Sequence, residues 1–77
     1  MNMFNLPLNE EHQIQNIVGH SATRSYLYSL GLIKGQTFSI LEKNVFGFII
    51  KVKDTEIALD SHVAQFINVA EKVLVPR

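Results

Sequence analysis

The sequence predicts a mainly β domain, a small barrel of about five strands with one short α-helix between strands 1 and 2. One helical turn is expected before the last strand. Three observations predict it. Short apolar runs alternate with polar residues at period two and are separated by brief turn-forming stretches. A single stretch, Ser21 to Gly35, has helical spacing with a start and a stop. A chain of 77 residues is one domain at most, and short antiparallel strands in so small a chain avoid exposed edges best by closing on themselves.

Residues 1–11 read as a polar-apolar lead-in. Leu6 and Leu8 flank Pro7, which suits an edge segment or an extended approach rather than a helix. The first strand is expected over 13–18, with Ile14, Ile17 and Val18 apolar and an alternation imperfect enough to need a bulge. Gly19-His20 breaks it. Ser21 is then placed as the helix N-cap, since its hydroxyl can accept from an unpaired first-turn amide. Thr23, Leu27 and Leu30 face the core at helical spacing. Gly31 ends the helix, because glycine reaches the left-handed conformation without a Cβ clash. With Gly31 at C′, Leu32 and Leu27 form the hydrophobic contact of a Schellman ending. Lys34-Gly35 turns the chain.

A strand over 37–42 puts Phe38 and Ile40 on one face and Thr37 and Ser39 on the other. A loop is expected at 43–47, punctuated by Asn44 and Gly47. Residues 48–53 alternate, with Phe48, Ile50 and Val52 inward and Lys51 and Lys53 outward. Asp54-Thr55 is read as the next hairpin turn, although it lacks the favoured glycine. A strand over 56–59 turns Ile57 and Leu59 inward. Asp60 or Ser61 caps a helical turn through Gln65, and 66–70 is the last strand. The domain is read as residues 1–73. Leu74-Val75-Pro76-Arg77 is the sequence that a thrombin-type cleavage leaves behind, and it is kept out of the domain.

Composition narrows the function. Hydrophobic content of 47% with 18% charged residues describes a folded domain rather than a disordered tail. Lys and Arg number 7 and so do Asp and Glu, which argues against a nucleic-acid partner, since phosphate backbones select a basic face. Neutrality also removes the repulsion that keeps copies apart, so weak self-association is open to it. The absence of cysteine excludes disulfides and thiolate metal sites and suits a cytoplasmic protein. Met1 to Phe4 has no charged n-region or apolar h-region, and no apolar run is long enough to insert in a membrane.

Chemistry is sparse. His12, His20 and His62 have no helical ligand spacing, and each is read as a surface loop or cap residue, although His20 with Glu42 or Asp60 could meet across a barrel. His20-Ser21 with Asp60 is a poor hydrolase, because adjacent residues at a helix start rarely face each other. No Gly-Lys-Ser/Thr follows the glycines, so no phosphate loop is present. No catalytic, cofactor or metal residue is assigned. Arg24 and Tyr28 lie four residues apart on the helix face opposite Leu27 and Leu30, and both are residue types enriched at interface anchors. Phe46 and Phe48 beside Gly47 form a second partner-binding candidate.

These residues resemble the FeoA family over roughly residues 6–70. Gly19 and Ser21 precede the helix. Arg24, Leu27, Leu30, Gly31 and Leu32 match the family's arginine followed by Leu-x-x-Leu-Gly-Leu. Gly35 stands where the family has Pro-Gly, with Lys34 in place of the proline, and Gly47 matches the glycine of Leu-Gly-Asp-Pro. Ala58-Leu59, then Ala64, Ile67 and Val69, match the closing patterns. Phe48-Ile49 replaces Asp-Pro, Asp60 replaces an arginine, and a glycine usual near Glu11 is missing. The resemblance implies an SH3-like β-barrel that is not an enzyme. It implies a cytosolic accessory role in bacterial ferrous iron uptake, with the membrane Fe(II) transporter and its cytosolic GTPase region as partner. The alternative it implies is a stand-alone peptide- or metal-sensing barrel related to iron-dependent repressors.

Overall fold

The computed structural model of the chain describes residues 3–71. A 3-10 turn, Met3–Asn5, leads to β1 (Glu11–Ile17), α1 (Ser21–Ser29), β2 (Thr37–Asn44), β3 (Gly47–Val52), β4 (Thr55–Asp60), α2 (Ser61–Ala64) and β5 (Ile67–Val69). The residues assigned beyond the domain, Leu74 to Arg77, lie outside the described residues. The strands form one antiparallel sheet in the order β4-β3-β2-β1-β5. One apolar cluster draws on every element, from Met3 and Leu6 through Leu27 and Leu32 to Ile67 and Val69.

The closed barrel is not what the strand pairing makes. Among the described residues β4 and β5 do not pair, so the ring of hydrogen bonds stays open at that seam. β5 has three residues, and it spends its pairing on β1. Curvature comes instead from two irregularities in register, at Ile14/Asn16 and Ile40/Glu42, since bulges bend and twist a strand.

The helix ends as its residues demand. Leu30 is the C-cap and Gly31 follows at φ +89°. The Leu32 amide donates to the Leu27 carbonyl at 3.0 Å, and the Gly31 amide to the Tyr28 carbonyl at 2.9 Å. These are the two bonds of a Schellman motif, with Leu27 and Leu32 both buried. The start differs from expectation. His20, extended at φ −69° and ψ 156°, holds the cap position without a side-chain bond, and Ser21 is already the first helical residue. The Arg24 amide takes the His20 carbonyl, so the helix begins one residue early and the serine hydroxyl cannot cap it.

The first hairpin is tighter than the sequence suggested, and the second is shifted by one residue. Lys43 and Asn44 still pair with Phe48 and Gly47, leaving only Val45-Phe46 as the turn. The next turn is Lys53-Asp54 rather than Asp54-Thr55, because Thr55 pairs with Val52. Lys53 takes φ +55°, a sign that glycine normally supplies there. The lead-in also differs. It is a 3-10 turn closed by the Leu6 amide on the Met3 carbonyl, and it buries both side chains. Lys43 Nζ holds this segment through the Leu6 carbonyl at 3.1 Å.

Asp60 caps α2, its Oδ1 accepting from the Val63 amide at 2.8 Å. Asp60→Ala is expected to cost about 1 kcal/mol, a typical cap loss. The check is the urea midpoint, which should fall with an unchanged m-value.

Candidate functional site

Two surfaces carry the residues singled out above. On α1, Leu27 is buried while Arg24, Tyr26 and Tyr28 are exposed, Tyr28 at 48%. The helix tail is tightened by Ser29 Oγ, which donates to the Tyr26 carbonyl at 2.6 Å. A guanidinium and a phenol one turn apart on an exposed face are free to contact a partner.

The second surface is the β2–β3 turn. Val45 and Phe46 are 84% and 81% exposed, the largest exposures among the exposed large apolar side chains. Solvent-facing turn positions normally carry Asn, Asp or Gly. Here the polar residue has moved one place back. Asn44 Oδ1 accepts from the Phe46 amide at 2.8 Å and the Gly47 amide at 3.2 Å. The Phe46 carbonyl in turn accepts from the Ser61 amide at 2.9 Å, which ties the tip to the start of α2. The Phe46 backbone is thus fixed from both sides while its ring is open to solvent.

Phe48 does not join it. It is 4% exposed and packs edge-on against Phe4 at 5.2 Å. Phe48 falls on the inward side of the β3 alternation with Ile50 and Val52, so it is a core residue and not half of a surface patch. Beside Phe46 lies a groove of about 430 Å³, lined among others by Glu42, Ile49, Ala58 and Asp60. Sequence reasoning missed Val45 and this groove. The apolar pair at a turn was the available signal for the first; the second depends on strand register.

The histidines separate. His20 and His62 are exposed, and His62 Nδ1 accepts from Gln65 Nε2 at 3.0 Å. His12 departs from the surface reading. It is 4% exposed, lies against the Phe38 ring at 5.7 Å, and meets the Pro7 carbonyl at 3.1 Å through Nε2. A carbonyl only accepts, so Nε2 carries the hydrogen. His12 therefore fastens the lead-in to β1. Among the described residues no three His, Asp or Glu side chains converge on a point that could hold a metal ion. Asp60 is engaged as the α2 cap.

An open five-stranded antiparallel sheet with a helix after its first strand and a helical turn before its last is an architecture of small SH3-like modules. The comparisons place it more closely. The FeoA domain model matches residues 1–71, and the chain belongs to the FeoA family. No curated protein sequence gives a significant match. Among solved structures, an iron uptake regulatory protein, FeoA, is 29% identical, with TM-score 0.78 over 84% of this chain and 88% of that one. FeoA of Stenotrophomonas maltophilia complexed with zinc, described as a prokaryotic SH3 domain protein and a candidate ferrous iron transport activating factor, is 22% identical, with TM-score 0.77 over 91% and 89%. The regulator ScaR with bound Cd²⁺ shares the fold at TM-score 0.81 and 20% identity. It aligns over 92% of this chain and 35% of its own length. No helix among the described residues is long and apolar enough to cross a membrane.

Proposed function

We propose that this chain is an accessory protein of bacterial ferrous iron uptake. It docks on the cytosolic face of the membrane Fe(II) transporter and modulates its GTPase region or its gating. The observation that carries the reading is membership of a family linked to ferrous iron transport, over residues 1–71. The geometry supports a binding role through two surfaces, Arg24 with Tyr28 on α1 and Phe46 on its fixed turn. Phe46 has the properties of an anchor: a large ring, fully available, whose backbone loses little freedom on binding. The mechanism is differential affinity. The chain shifts the transporter only as far as it prefers one of its conformations.

The test is pull-down of the transporter's cytosolic domain by this chain. Arg24→Glu and Tyr28→Ala should leave the circular dichroism spectrum and melting temperature unchanged, because both side chains are exposed. Each should weaken the Kd about tenfold or more, equivalent to roughly 1.4 kcal/mol. Undiminished capture by both would remove the helix face from the interface. The alternative, a sensing domain related to metal-dependent regulators, rests on fold likeness alone, and this chain spans about a third of their length.

A further inference from the structure

β4 stands at one end of the sheet, and its pairing with β3 runs without a shift from Val52 and Thr55 to Gly47 and Asp60. The two-residue turn makes Val52 and Thr55 a hydrogen-bonded pair, so Ile50 with Ile57 and Phe48 with Leu59 are hydrogen-bonded pairs in turn. The amides and carbonyls of Glu56 and Ala58 therefore point away from β3. No strand among the described residues lies on that side.

Sheet edges are usually blunted by shortness, proline, a bulge or lysine. β4 has six residues, no proline, no lysine and no register shift against β3. What it carries is acid. Glu56, Ala58 and Asp60 are exposed and alternate onto one face, and Glu42 reaches the groove beside them. Acid disfavours a second copy on this edge. A symmetric antiparallel pairing about Ala58 sets Glu56 opposite Asp60, and one about Ile57 sets Asp54 opposite Asp60. The same charges favour a strand bearing cations. Lys51 stands across from Glu56 on β3, and Asp60 commits Oδ1 to the Val63 amide while Glu42 lines the same groove, so both ends of the edge keep acid for a cation.

We infer that the free edge of β4 accepts an extended segment of a partner protein as a sixth strand, and that this segment has the pattern cation-x-apolar-x-cation. Main-chain bonds to Glu56 and Ala58 supply the docking, as in other strand additions. The central apolar side chain lies on Ala58 and reaches Ile49. The flanking cations face Asp60 and Glu56. Two-residue spacing of the three β4 side chains sets the pattern. Every pairing in the sheet is antiparallel, and an antiparallel sixth strand sets the cations and the apolar residue in hydrogen-bonded pairs with Glu56, Ala58 and Asp60. The inference does not rest on the transporter reading, since it uses neither Arg24, Tyr28 nor the identity of the partner.

The test is an NMR titration of the whole chain with the capped heptapeptide Thr-Lys-Thr-Val-Thr-Arg-Thr. The Glu56 and Ala58 amides should shift, and at saturation their hydrogen exchange should slow at least tenfold. The same peptide with N-methyl groups on its valine and arginine keeps its charge but loses two donors toward β4, and it should bind at least tenfold more weakly. So should the peptide with glutamate in place of lysine and arginine. Ala58→Pro removes an outward amide while leaving the β3 ladder in place, and it should abolish the shifts. If Ala58→Pro fails to fold, the N-methylated peptide decides. Absence of shifts in β4, equal binding of the N-methylated or acidic peptide, or concentration-dependent protection of Glu56 and Ala58 without peptide would each overturn the inference.

Discussion

Gly47→Val is expected to remove a large share of the domain's stability. A Cβ on Gly47 would stand 2.8 Å from the Asp60 Cα and 3.0 Å from the Leu59 carbonyl carbon, with the Leu59 oxygen closer still. These are backbone atoms of the neighbouring strand, and they cannot rotate away as a side chain could. Gly47 and Asp60 are directly opposite, in the close kind of antiparallel pair. Relief would require separating β3 from β4 at the point where Asp60 also caps α2 and the Ser61 amide holds Phe46. We expect a loss of about 3 kcal/mol or more, in the range of overpacked or strained core sites. A domain of this size has roughly 4 to 12 kcal/mol in all. Chemical denaturation followed by circular dichroism gives the measurement. Gly35→Ala is the control, since nothing lies within 4 Å of that position and only its φ of +88° opposes a side chain.

The same hairpin shows which parts of the fold could be read in the residues. Local chemistry was legible. Gly31 between Leu27 and Leu32 specified a helix ending that the backbone makes bond for bond. The Phe48-Ile50-Val52 alternation specified a strand face that is buried. A cap at Asp60 or Ser61 was read, and Asp60 makes it. Non-local geometry was not. A turn of two residues rather than five leaves Phe46 with Val45 at the exposed tip, while Phe48 keeps the buried place its alternation gave it. Closure of the sheet depends on whether β4 meets β5, which no local pattern encodes. His12 lies between these cases. It sits two residues before Ile14, so extending the alternation of β1 by one step would have placed it inside. Of the candidate site, Arg24, Tyr28 and Phe46 are exposed as expected, while Val45 and the groove beneath Phe46 emerged only from the register of three strands.

Met3→Ala should destabilise the domain by about 2 to 4 kcal/mol, the range for removing a large buried side chain whose cavity cannot collapse. Composition gives little hint of this, because a three-residue turn is too short to show a period. Met3 is nevertheless 0% exposed and belongs to the same apolar cluster as Ile14, Leu27 and Val69. The segment is also held at four backbone points. Lys43 Nζ reaches the Phe4 and Leu6 carbonyls, His12 Nε2 meets the Pro7 carbonyl, and the Asn9 amide donates to the Ile40 carbonyl. Collapse of the cavity would pull against all four, so the cost should be nearer the upper end than for a methionine on a loose terminus. Leu8→Ala provides the contrast: Leu8 is 40% exposed and should cost less than about 0.5 kcal/mol. Equal midpoints for Met3→Ala and wild type in urea would show that the first residues are not part of the core. Exchange-protected amides at Leu6 and Asn9 in wild type, lost in Met3→Ala, would show that the whole lead-in detaches as a unit.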